Sequence, residues 1–213
     1  MLILGHTGIT LGAAVLLNGA LTKSHSLPTR VNPSRGQTQR SPGTPALQNR
    51  SSGSVVSWLT SLADRIDIRL LLIGSLLPDI IDKPIGVFFF RDIFSNGRIF
   101  SHTLLFVIVI TAGGLYLYWS RNKTWLLVLS FGTFTHLILD AMWLTPRTLL
   151  WPLYGFSFEK MDLTYWTWDM FYALLTNPVV YISELVGAAV VICFLWLLVR
   201  RGNLYAFLRK GQV

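Results

Sequence analysis

Residues 101–144 read SHTLLFVIVITAGGLYLYWSRNKTWLLVLSFGTFTHLILDAMWL. From Ser101 to Trp119 the stretch is almost wholly apolar, and after the turn Ser120-Arg121-Asn122-Lys123 a second apolar run extends from Thr124 to Leu144. Each run approaches the roughly 20 residues that a helix needs to cross a bilayer. The short polar turn between them makes the pair an antiparallel hairpin. In lipid only a helix or a closed barrel satisfies its own backbone hydrogen bonds, and long runs without alternation are helices. The stretch therefore predicts an all-α fold, a polytopic membrane helix bundle.

The rest of the chain agrees. Of 213 residues, 52% are hydrophobic and 13% charged, with mean hydropathy +0.52, whereas an ordinary soluble domain is about a quarter charged. Residues 1–20 are apolar enough to span and lack the basic start of a signal peptide, so they read as a retained first transmembrane helix. Residues 21–54 are rich in Ser, Thr, Pro, Gly, Asn and Gln, carry Lys23, Arg30, Arg35, Arg40 and Arg50, and contain no acid. They read as a disordered basic linker, an insertion in the bundle. Residues 55–213 return to the same domain: an amphipathic interfacial helix from Val55 to Asp67, a short apolar stretch from Leu70 to Ile81, the hairpin, an aromatic interfacial segment over 145–177 and a last span from Pro178 to Val199. The count is about five helices. A stretch as short as 70–81 crosses only with help from its neighbours.

Net charge +8 does not imply nucleic acid, because the basic residues flank apolar runs or sit in the linker, with no recognition helix. If the spans alternate, one face receives the linker with Arg65, Arg69, Arg121, Lys123, Arg200, Arg201, Arg209 and Lys210. The other receives Lys83, Arg91, Arg98, Arg147 and Lys160. The positive-inside rule then predicts a cell-membrane protein with its N-terminus outside and its C-terminus in the cytoplasm. The single cysteine, Cys193, excludes an intrachain disulfide and a thiolate metal cluster.

Ionisable groups inside spans are costly, so each is a functional hypothesis. His6, Asp79, Asp82, His102, His136 and Asp140 all fall at the same, non-cytoplasmic ends of their spans under alternating topology. His136 and Asp140 are an i, i+4 pair and Asp79 and Asp82 an i, i+3 pair, so each pair shares a helix face. Three imidazoles with carboxylates make a donor set suited to zinc, or to manganese or iron. Arg98, four residues before His102, shares its face if the segment is helical and suits an anionic group such as phosphate. Blander readings exist: Asp79 as a helix cap after Pro78, Asp82 as a structural partner of Lys83 or Arg98, His25 as a solvated linker residue. Asp92, Glu159, Asp162, Asp169 and Glu184 read as interfacial or tertiary pairs.

His6-Thr7, Leu77-Pro78-Asp79-Ile80-Ile81-Asp82, Arg98-Ile-Phe-Ser-His102-Thr103, His136-Leu-Ile-Leu-Asp140 and Trp151-Pro152 occur in the order seen in YdjM-type membrane-bound metal-dependent hydrolases. The chain resembles that family, which is distantly similar to zinc-dependent phospholipases C. The resemblance implies a metal role for His6, Asp79, His102, His136 and Asp140. Family members often carry the second acid two residues after the first, where this chain has Ile81, with Asp82 following. The expected activity is hydrolysis of an ester or phosphoester in a lipid or lipid-linked substrate, with Asp82 as general base and Arg98 positioning the anion. The competing expectation is a membrane protein that binds or transports a metal ion or protons without hydrolysis.

Overall fold

The computed structural model describes residues 3–25 and 67–211. The interfacial helix expected over Val55–Asp67, apart from Asp67 itself, and nearly all of the 21–54 linker lie outside the described residues. Every regular element among the described residues is helical. In chain order they are α1 (Ile3–His25), α2 (Ile68–Lys83) running on into a π-helical turn (Pro84–Phe89), α3 (Arg91–Phe94), α4 (Leu104–Arg121), α5 (Trp125–Leu139), α6 (Pro146–Leu149), α7 (Trp166–Thr176), α8 (Pro178–Arg200) and α9 (Leu204–Lys210). α1 as far as Ala14 belongs to one compact unit with the chain from Asp67 onward.

The all-α class is as expected, and the number of spans is smaller than expected. By length and composition α4 and α8 are the two helices among the described residues able to cross a bilayer. Their apolar windows are only 11% and 28% buried inside the protein, so the apolar surface faces outward, as it does toward lipid. α5 has 15 residues, about 22 Å at 1.5 Å per residue against a hydrocarbon core of about 30 Å. The run expected to continue to Leu144 breaks at Ala141, whose φ of 51° is left-handed, and only a 3-10 turn over Met142–Leu144 follows. α1 continues to His25, past the boundary expected at Ala20. The short stretch at 70–81 lies within a continuous helical path from Ile68 to Phe89.

Close backbone contact holds the helices in register. A Cβ at Gly132 would fall on the backbone of Leu71 and Gly74, and one at Gly8 on Gly187. Small residues permit such approach where lipid offers no hydrophobic drive for helix association. Pro78 lacks the N–H that would bond the Gly74 carbonyl one turn back. That carbonyl instead faces Thr133 Oγ1 of α5 at 3.3 Å, whose one proton it shares with the Leu129 carbonyl at 3.0 Å. α2 and α5 thus run parallel, while α5 packs antiparallel to α4, with Thr111 and Ser130 hydroxyls 2.6 Å apart.

Candidate metal centre

The five residues expected to hold a metal converge. His6 comes from the start of α1, Asp79 from the end of α2, His102 from the loop before α4, His136 from the last turn of α5 and Asp140 from its C-cap. All three imidazoles are fully buried. His102 Nε2 lies 3.3 Å from His136 Nε2, 3.6 Å from Asp79 Oδ1 and 4.0 Å from Asp140 Oδ2. His136 Nε2 is 3.9 Å from Asp79 Oδ1 and 4.0 Å from Asp140 Oδ2.

Two of the tautomers follow from their partners. His136 Nδ1 is 2.6 Å from the Ser75 carbonyl, which can only accept, so Nδ1 carries a proton. His102 Nδ1 is 2.7 Å from Asp82 Oδ2 and donates to it. In the neutral rings both Nε2 lone pairs then face each other across 3.3 Å, an arrangement that calls for a cation or a proton between them. Two nitrogens on one tetrahedral zinc, each at about 2.0–2.1 Å, stand about 3.3 Å apart.

His6 enters from the other side. Its Nε2 is 3.1 Å from Asp140 Oδ1 and its ring stacks on His136 with centroids 4.1 Å apart. That contact lies off the hydrogen-bonding direction, so both His6 ring nitrogens are buried without a hydrogen-bond partner. Such an orphan costs about 1–3 kcal/mol, which coordination removes. Ligand atoms of His6, His136 and Asp140, and of Asp79, His102 and His136, each lie within 4.8 Å of one another. Both sets need His136, whose Nδ1 is engaged with Ser75. Its single free nitrogen ties them into one centre, and the donor types and spacings fit a divalent ion.

Asp82 differs from expectation. It is fully buried, and besides the His102 ring it accepts from the backbone N–H groups of Ile99 at 2.7 Å, Ser101 at 3.0 Å and His102 at 3.2 Å. Bonded to the His102 ring and to three backbone N–H groups, it orients His102 from behind. The same bonds explain why 98–102 is a loop and not the expected helix: these N–H groups go to a carboxylate and not to preceding carbonyls. The helix starts only after Thr103, whose Oγ1 caps it by accepting from Phe106 N at 3.1 Å. Arg98 therefore does not share a helical face with His102, yet its guanidinium reaches Asp140 Oδ2 at 2.9 Å. Neither Lys83 nor Arg98 pairs with Asp82, because Lys83 Nζ is 2.7 Å from Asp79 Oδ2.

Two contributors have no place in the sequence reading. The Ser75 carbonyl carries no side-chain signal, and Lys83 as partner of Asp79 rests on an i+4 spacing open to view. Glu184, expected in an interfacial or tertiary pair, makes a tertiary one: it accepts from Leu4 N and Gly5 N, both at 3.0 Å.

Beside the loop, Phe94, Phe100, Trp151 and Phe158 form an aromatic cluster, with Phe100 5.5 Å from Trp151 and 5.2 Å from Phe158 between ring centroids. It props the 98–102 loop from outside. Farther along the same segment Leu153, Tyr154, Phe156, Tyr165 and Trp168 are exposed, as suits a membrane interface. Of the other acids, Glu159 makes an exposed contact with Arg147 at 3.6 Å and Asp162 accepts from Thr164.

Fold and cluster together define a helical membrane protein with a candidate metal-binding site. The chain matches the family model described as YdjM inner membrane protein over residues 46–206, and it belongs to that family. No curated protein and no solved structure matches it.

Proposed function

We propose that His6, Asp79, His102, His136 and Asp140 hold a divalent cation, zinc by its donor set with manganese or iron as close alternatives, and that the loaded protein hydrolyses an anionic ester of the phosphoester class, carried by a lipid or lipid-linked molecule. The observation that carries this reading is the pair of Nε2 lone pairs 3.3 Å apart with two carboxylates around them. Bound there, the ion supplies a water of lowered pKa and a positive charge for the developing anion.

The protein's own residues do the remaining work. Asp82 holds His102 with Nε2 facing inward, as the carboxylate of a carboxylate–histidine–metal relay. Lys83 engages the outer oxygen of Asp79, and Arg98 pairs with Asp140 Oδ2, the oxygen that also faces His102 and His136. Lys83 and Arg98 already offset part of the carboxylate charge, and a divalent ion would add two positive units, which favours an anionic substrate. Arg98, partly exposed at 42%, is the cation able to swing from Asp140 to an incoming phosphate, bidentately. The residues lie at helix ends near an exposed aromatic rim, which suits a substrate that arrives within the membrane.

Elemental analysis of detergent-purified protein, wild type beside His102→Ala and Asp140→Ala with folding checked by circular dichroism, tests the metal. Stoichiometric ion lost from folded variants supports the reading. A phospholipid and phosphoester panel then tests hydrolysis, and an intact panel with metal-loaded protein sinks it. A separation of 3.3 Å is also hydrogen-bond length for a single shared proton. A protein that takes up no metal, and shows proton flux in liposomes that Asp140→Asn abolishes, belongs to the non-enzymatic reading.

A further inference from the structure

We infer that Glu184, on the last long helix, is a positioning residue for His6. The inference rests on the metal reading for its consequence and on hydrogen bonds for its cause. An α-helix begins with N–H groups that have no intrahelical partner, and Met1 and Leu2 offer α1 no capping side chain. Glu184, only 9% exposed, supplies the cap from α8: Oε2 accepts from Leu4 N and Oε1 from Gly5 N, each at 3.0 Å. A carboxylate at a helix N-terminus also meets the positive end of the helix dipole.

One turn farther along α8, a Cβ at Gly187 would strike the backbone of Leu4 and Gly5, and a Cβ at Gly8 would strike Gly187. The two-pronged cap fixes the rotation and depth of the first turn, and the glycine contact fixes its distance from α8. His6 follows immediately. A slip of one residue rotates a helical side chain by about 100° and moves it about 1.5 Å, which would take His6 Nε2 away from Asp140 Oδ1, now 3.1 Å distant. The contacts of the ring itself, to Asp140 and over His136, do not fix the helix that carries it, and that placement is set through α1 by Glu184.

The test uses the full chain in detergent and compares wild type, His6→Ala, Glu184→Ala, Glu184→Gln and the His6→Ala/Glu184→Ala double variant. Cobalt(II) absorption reports the ligand set, zinc competition reports affinity, and diethyl pyrocarbonate reports whether His6 is accessible. Glu184→Ala is expected to reproduce the cobalt spectrum of His6→Ala and to weaken zinc about 10–100-fold, the usual effect of losing an outer partner. The double variant is expected to bind zinc no more weakly than His6→Ala. His6 becomes reactive in Glu184→Ala while His102 and His136 stay protected, and Glu184→Gln, which keeps one accepting oxygen, recovers part of the affinity. A folded Glu184→Ala protein with the wild-type spectrum and a protected His6 overturns the inference, as do losses that multiply in the double variant or equal exposure of all three histidines. If wild type takes up no cobalt or zinc, the metal reading fails, and the histidine modification still decides the role of Glu184.

Discussion

Replacing Asp82 by asparagine keeps the shape of the side chain and removes its charge and one acceptor. Oδ2 now accepts from Ile99 N, from His102 N and from the His102 ring, while Ser101 N divides its bond between Oδ1 at 3.0 Å and Oδ2 at 3.1 Å. An amide can be placed two ways. With its oxygen at the Oδ2 position, Ser101 N–H keeps its bond to that oxygen and meets the NH2 on its other side. Turned over, the NH2 faces Ile99 N–H and the His102 ring, which must surrender its Nδ1 proton and carry one on Nε2, pointing into the metal position. A hydrogen bond to a charged group contributes about 1.5–3 kcal/mol, and each 1.4 kcal/mol is a factor of ten in Kd. Asp82→Asn should therefore weaken zinc about 10–100-fold, in line with the loss of other carboxylates behind a metal-binding histidine. Chelator competition measures the affinity, and nitrogen-15 NMR of the imidazoles reads the tautomer. A variant that binds zinc as wild type does, with Nδ1 of His102 still protonated, would refute the relay. Were Asp82 the general base, affinity would hold and only turnover would fall.

Three further outcomes follow from the packing and the charges. Thr133→Val removes the hydroxyl that serves the Gly74 carbonyl freed by Pro78, and should lower stability by about 0.6–1.7 kcal/mol, the range for hydrogen bonds between membrane helices, read as a shift in thermal midpoint with the metal stoichiometry retained. Gly132→Ala drives a methyl group into the backbone of α2, and overpacking costs about 1–3 kcal/mol or more. Because His136 sits one turn on, metal content should fall with stability; full occupancy at an unchanged midpoint would contradict the close approach. Arg98→Gln frees Asp140 Oδ2 from its cation, so inorganic phosphate should inhibit the loaded protein at least tenfold less well while zinc still binds, measured by phosphate titration against any ester turned over by wild type.

The site was legible where chemistry forces residue type and fold forces place. Charges are expensive in apolar helices, so His6, Asp79, His102, His136 and Asp140 stand out by residue type, and the structure brings their ligand atoms near one another. Asp82 was visible too, but its role was not. Whether a carboxylate faces a water or four donors depends on how the 98–102 loop folds, and that loop folds around Asp82 itself, so neither half can be read without the other. Arg98 shows the same limit, since a helical spacing argument fails where the N–H groups have another acceptor. Span lengths were overread for a local reason: the apolar run from Thr124 to Leu144 hides the left-handed Ala141 that ends the helix. Glu184 has no acidic or imidazole neighbour in sequence, so its residue type predicts a tertiary pair without naming the partner. Its partners are backbone N–H groups 180 and 179 positions away, which no side-chain pattern announces.

The pairing of α1 with α8 also sets an order of assembly. Glu184 and Gly187, which cap and space the helix that carries His6, are made long after it, 180 and 179 positions beyond the N–H groups that Glu184 caps. Until then the nascent protein can bring together Asp79, His102, His136 and Asp140, whose elements are neighbours in sequence, and the third imidazole waits. A stalled chain ending before Glu184 would present an incomplete set of donors, so a complete cluster doubles as a check that synthesis has passed through α8.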